Sequence, residues 1–191
     1  GTTIDFIQAF EGADDGVEFF GGTVNASHIS VVGAQDDSVD WTEGFTGTLT
    51  DVYIEHRQSH DKGIEGDGFN TDIGNNSNPV FWSAPTINNL TINGLGSSNG
   101  NEAIRLRAGT RAIFNNVFIE GFEEGYDLDD EETGNGFSAG DTSVTDITFD
   151  DIVLTLKNDT NVAFDADDFF SGIGNGTGTD YDSWNSGWTR N

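Results

Sequence analysis

The chain has 191 residues, with 7 Lys plus Arg against 34 Asp plus Glu and a net charge of −27, so it is one domain in length and its surface repels nucleic acid and anionic membranes. Fifteen Phe, four Trp and regularly placed Ile and Val exclude a disordered acidic tail. No apolar run approaches the ~20 residues of a membrane span, which excludes membrane insertion by a helix.

In chain order, the first segment reads Ile4-x-x-Ile7-x-Ala9 and is followed by a short strand with Val17 and Phe19 directed inward. The same unit returns as Ala26-x-x-Ile29-x-Val31 with Val39 and Trp41, then as Leu49-x-x-Val52-x-Ile54 with Ile64. Ile87-x-x-Leu90-x-Ile92 precedes Ile104 and Leu106, and Phe114-x-x-Val117-x-Ile119 precedes Tyr126 and Leu128. Val144-x-x-Ile147-x-Phe149 closes the series, with Val162 and Phe164 taken as its second strand. Period-2 alternation at the end of each segment is that of a strand, and a unit recurring every 22 to 38 residues is a solenoid repeat. With 26 Gly and many Asn, Asp and Thr, helical repeats are excluded. The predicted fold is all-β, a right-handed parallel β-helix of about six coils in one domain spanning 1–191. Residues 1–166 form the coils and 167–191 a C-terminal cap built from Phe169, Phe170, Tyr181, Trp184 and Trp188.

Irregular steps mark loops leaving the coil at Gly66 to Ala84, Ser97 to Asn101, Glu131 to Thr142 and Asn158 to Asn161. Such excursions are tolerated on a surface or wall a groove. His56 and His60 stand four apart without the helix of a metalloprotease motif and are expected at the surface.

Superposing the coils brings acidic motifs into register. The outward residue of the short strand is Glu18, Asp40, Glu65, Arg105, Asp127 and Ala163 in successive coils; Asp14, Asp36 and Asp61 stack beside it, as do Asp15 and Asp37. Carboxylates one strand spacing apart, about 4.8 Å, repel by roughly 3–4 kcal/mol at an effective dielectric of 20. The column therefore holds protons or cations. Several hard oxygens in a flexible arrangement suit Ca2+ better than Mg2+, and the candidate ligands are Asp14, Asp15, Glu18, Asp36, Asp37, Asp40, Asp61, Glu65 and Asp67. Arg105 would neutralise its neighbours without metal. Neither a nonapeptide calcium array nor an EF-hand loop is present, so any site is built across coils.

These motifs give the chain its resemblance to the pectate-lyase-like right-handed β-helix superfamily. It is most similar to a group of secreted bacterial proteins with DDG-[IV]-E-[FW]-F-G-G coils, here Asp14 to Gly22, with DDS-[LV]-D-W, here Asp36 to Trp41, and with a closing W-x-x-G-W-T, here Trp184 to Thr189. The group carries no agreed activity. The resemblance implies an extracellular or cell-surface protein, with Asn191 near a natural end; the start at Gly1 and not Met leads to the expectation that a leader or longer N-terminal region has been removed.

Relatives that are calcium-dependent lyases pair a cation with a basic proton acceptor, for which Arg105 and Arg107 are the candidates, with Arg57 and Lys62 nearby. Relatives that hydrolyse polygalacturonate use acid pairs such as Asp14/Asp15, but their G-H-G and R-I-K motifs are absent here. The charge of −27 is a poor match to a polyanionic glycan unless calcium bridges the two. The expected function is a calcium-stabilised structural or adhesive module, with polysaccharide binding or degradation as the alternative. The partners would be extracellular polysaccharide, or the protein itself through an open coil edge at Thr2.

Overall fold

The computed structural model describes residues 2–57, 60–69 and 82–190. Eleven parallel strands wind into one nearly closed sheet, the right-handed β-helix expected. The long strands β1 (Thr3–Phe10), β3 (Asn25–Val32), β5 (Thr48–Glu55) and β7 (Thr86–Asn93) alternate along the chain with the short strands β2 (Val17–Phe20), β4 (Val39–Thr42), β6 (Ile64–Asp67) and β8 (Glu102–Arg107). In β9 (Ile113–Asp129) and β10 (Ser143–Asp159) the chain turns the corner without leaving the sheet, so each strand makes most of a coil.

Every core column read from the long segments is in register. Ile7, Ile29, Val52, Leu90, Val117 and Ile147 lie one above the other, as do Ile4, Ala26, Leu49, Ile87, Phe114 and Val144. From Ile29 to Ile147 the first file is fully buried. The x-x spacing has a backbone cause. One residue per long strand, Phe6, His28, Asp51, Asn89, Asn116 and Asp146, has φ between 51° and 59°. That left-handed residue bends the strand so that two apolar residues three apart, such as Ala26 and Ile29, both face the core, and Asn and Asp tolerate it best.

The short-strand register is Val17, Val39, Ile64, Ile104, Tyr126 and Leu156. The last member corrects the sequence assignment: Leu154 to Asp159, and not Val162 and Phe164, complete the sixth coil. Ile119 to Tyr126 is seven residues, and Phe149 to Leu156 repeats that spacing because neither strand breaks at the corner. Gly66 sits beside Trp41, where a Cβ would fall 2.5 Å from the indole, which is why Ile64 has no inward partner two residues later.

The C-terminal region also differs from expectation. A further strand, β11 (Phe170–Ile173), pairs with β10, so the sheet runs past residue 166. Closure of the last coil is aromatic, as expected, but it is made by Phe169 and Phe170 with Phe137 and Phe164 against Tyr126 and Phe149. Phe137 comes from helix α1 (Glu131–Ser138), which fills the Glu131 to Thr142 excursion. Tyr181, Trp184 and Trp188 are elsewhere: they lie along the outer face of the long strands. Most of the Gly66 to Ala84 excursion, residues 70–81, falls outside the described residues.

Candidate functional site

The short strands present one outward file, now Glu18, Asp40, Glu65, Arg105, Asp127 and Lys157. Alternation along a strand puts each of these beside an inward-facing residue of the short-strand register, so successive heads stand one strand spacing apart.

In the first two coils the file is wholly acidic. Asp14, Asp15 and Asp36 bring carboxylate oxygens within 4.8 Å of one another, and so do Asp15, Glu18 and Asp40. Among the described residues no Lys, Arg or His pairs with any of these five; the ion pairs of this face all lie further along the solenoid. Asp40 Oδ1 is sealed from solvent with no hydrogen-bond partner. Burial, then the charges of Glu65 and Asp15, push the Asp40 carboxyl up to about 8. Burial also raises Asp15 and Glu18 above the usual carboxylate range.

The third coil is different because Lys62, only 5 % exposed, is inserted into it. Its Nζ lies 2.6 Å from Asp61 Oδ2, 3.2 Å from Glu65 Oε1 and 3.7 Å from Asp37 Oδ1. Burial disfavours the ammonium, but the hydrogen bond to Asp61 and the charges of Asp37 and Glu65 outweigh it and hold it charged. Asp37 is itself pushed up to about 7 by burial, against the Lys62 backbone N–H that donates to its Oδ1 at 2.9 Å. The Asp37 amide in turn donates to Asp15 Oδ1 at 3.0 Å, so these two aspartates also tie adjacent coils together.

From the third coil on, the acids on and beside the file have cations. Arg107 spans Glu65 and Asp67, with Nε 2.6 Å from Asp67 Oδ1. Arg105 Nε donates to Asp129 Oδ2 at 2.8 Å. Lys157 Nζ lies 2.9 Å from Asp127 and 3.5 Å from Glu124.

Eight of the nine residues read as metal ligands therefore gather in triads, with Asp37, Asp61 and Glu65 sharing theirs with Lys62. Asp67 is in none and is Arg107's partner. Arg105 stands on the file and Arg107 beside it, in register with Asp67, but both are held in ion pairs that raise them above the ordinary guanidinium range. Lys157 with its partner Asp159, and Asp129, which pairs with Arg105, are the participants missed in the sequence, and the Phe149 to Leu156 spacing was the signal for Lys157. His56 is not at the surface: it is 2 % exposed, stacked on His60 at 4.2 Å, and burial lowers it to about 4. A cavity of about 540 Å³ lies away from this file, under the C-terminal segment at Tyr53 and Thr177 to Asp182.

The sequence model of the pectate-lyase-like beta helix domain matches residues 1–189. The chain belongs to that family. No curated protein and no solved structure gives a significant match. As a pectate-lyase-like β-helix, the chain carries its concentrated charge on the short-strand face. Among the described residues no helix is long and apolar enough to cross a membrane.

Proposed function

We propose that this pectate-lyase-like β-helix is an extracellular structural or adhesive module whose first two coils are held together by calcium. The observation that carries the reading is the contrast along one file: Asp14, Asp15, Glu18, Asp36 and Asp40 have no cation, while the acids above them have Lys62, Arg105, Arg107 or Lys157. A buried carboxylate oxygen without a partner, Asp40 Oδ1, is what a bound ion would satisfy. An all-oxygen donor set spread over two coils suits calcium's flexible coordination more than magnesium's octahedron. Asp15, Glu18 and Asp40 would form one site, and Asp14, Asp15 and Asp36 a second that shares Asp15.

Polysaccharide contact is the second reading, favoured by the family. Arg105 and Arg107 are poor proton acceptors in it, because abstraction needs a neutral base and both are held charged by carboxylates. Head-to-tail self-association would use β1 and β2, each of which pairs on one side only among the described residues.

Calorimetric titration of chelator-treated protein with calcium chloride tests the proposal. Saturable binding, weakened at least about tenfold by Asp40→Asn, is the expected result. Absence of binding in the unsubstituted protein overturns it. Product absorbance and reducing-sugar assays on uronic-acid polymers test the degradative alternative. Electron microscopy with and without calcium tests stacking, which monodisperse particles in both conditions exclude.

A further inference from the structure

Solenoid coils touch only their neighbours, and among the described residues β1 and β2 pair on one side only. The inward residues of this first coil, Ile4, Ile7, Ala9 and Val17, are only partly buried. The C-terminal segment bears on this weakness.

After β11 the chain reverses and descends the outer face of the long strands, following the file of left-handed residues from the sixth coil to the first. Asn175 Nδ2 donates to Asp146 Oδ1 at 3.3 Å. The Thr177 and Gly178 amides both donate to Asn116 Oδ1, while Asn116 Nδ2 donates to the Gly178 carbonyl. Thr179 N donates to Thr91 Oγ1 at 3.0 Å and its hydroxyl to Asp51 Oδ1 at 3.2 Å. Tyr181 stacks on Tyr53 at 3.7 Å and its hydroxyl shares a 2.9 Å hydrogen bond with Ser30. Trp184 meets the His28 ring edge-on, and Trp188 meets Phe6 in the same way. At the end, Arg190 N donates to Gln8 Oε1 at 2.7 Å and Gln8 Nε2 to the Arg190 carbonyl at 3.0 Å, with the guanidinium over Phe10.

The sequence is built for so close a descent. Gly176 passes where a Cβ would stand 2.1 Å from the Val117 carbonyl, and Gly178, at φ 66°, where it would stand 2.1 Å from Thr91 Oγ1. Only glycine fits both positions.

We propose that residues 174–190 are a latch that fastens the first coil to the last, so that the opening of β1 is governed by contacts made three coils away. The latch holds β1 from the side, across the outer face of the long strands. It converts a chain of nearest-neighbour contacts into one closed unit.

The test is amide hydrogen exchange, read by mass spectrometry on the full chain, with two variants that do not touch the first coil. Gly178→Ala wedges the segment away from Thr91 in the fourth coil, and Tyr181→Ala removes the stack on Tyr53 in the third. Both are expected to speed exchange in Thr3 to Phe10 by about tenfold or more while β9 and β10 keep their protection. Unchanged exchange in β1 in both variants overturns the proposal. So does an equal increase in every coil, which would make the segment a general stabiliser and not a latch.

Discussion

Glu18 and Asp40 in the first two coils, and Arg105 and Lys157 in the fourth and sixth, occupy one file of the same sheet, each following the inward residue of its short strand. In the upper region neutralisation is written into the chain, and four of the seven Lys and Arg residues are spent there. In the lower region none of the described residues supplies a cation. A parallel β-helix forces like positions to about 4.8 Å whatever their charge, so the fold sets the problem and each coil solves it separately. A protein-supplied cation works in any medium, whereas a solvent-supplied one makes stability depend on what the medium contains.

The sharpest way to break the contrast is to remove Lys62. Lys62→Met leaves Asp37 and Asp61 uncompensated and Glu65 with Arg107 alone, which brings the third coil close to the lower kind. Loss of about 3–5 kcal/mol is expected by denaturant unfolding in chelator, with part of it restored by millimolar calcium. Chelation of the unsubstituted protein comes next. An ion held at a hundred times its dissociation constant contributes about 2.7 kcal/mol, so the melting temperature is expected to fall by roughly 5–10 °C in a calorimetric scan.

Asp40→Asn sharpens the comparison by giving opposite signs in the two media. It is expected to raise stability by on the order of 1 kcal/mol in chelator, because folding no longer has to protonate or bury a carboxylate there, and to remove most of the calcium-dependent increment. Thermal scans with and without calcium read both effects.

The smallest expected effect is in pH. The raised values of Asp40, about 8, and Asp37, about 7, mean that the folded protein binds more protons than the unfolded one above the ordinary carboxylate range. Metal-free stability is therefore present at low pH and lost as pH rises through 7 to 8. His56 acts oppositely: lowered to about 4, its contribution is present above about 6.5 and lost as pH falls toward 4. Between pH 6.5 and 8.5 only the carboxyl effect operates, so the melting temperature in chelator is expected to fall by a few degrees across that interval. Saturating calcium should flatten the slope.

The part of the site that repeats was legible. Three apolar positions per long segment gave the register of every long strand, and that register placed Glu18, Asp40, Glu65, Arg105 and Asp127 in one file. Legibility failed where the repeat changes length. Turns between long and short strands vary from coil to coil, so Ala163 seemed to follow Asp127, when continuous pairing at the corner puts Lys157 there. Pairing partners were harder still. Nothing in the spacing of Lys62 and Asp61 says that the ammonium folds inward across three carboxylates, or that Arg107 takes Asp67 from the metal set.

By itself the sequence determined the β-helix, its coils and the acidic face, because alternation and repeat length are local properties that every coil restates. Tertiary structure alone decided which acids are already neutralised and where the aromatic C-terminus goes. Tyr181, Trp184 and Trp188 looked like a cap because they follow the last coil in sequence. They reach the first coil because the chain reverses over glycines and finds, in Asn116, Asp51 and Gln8, a line of partners that the stacking of coils brings together.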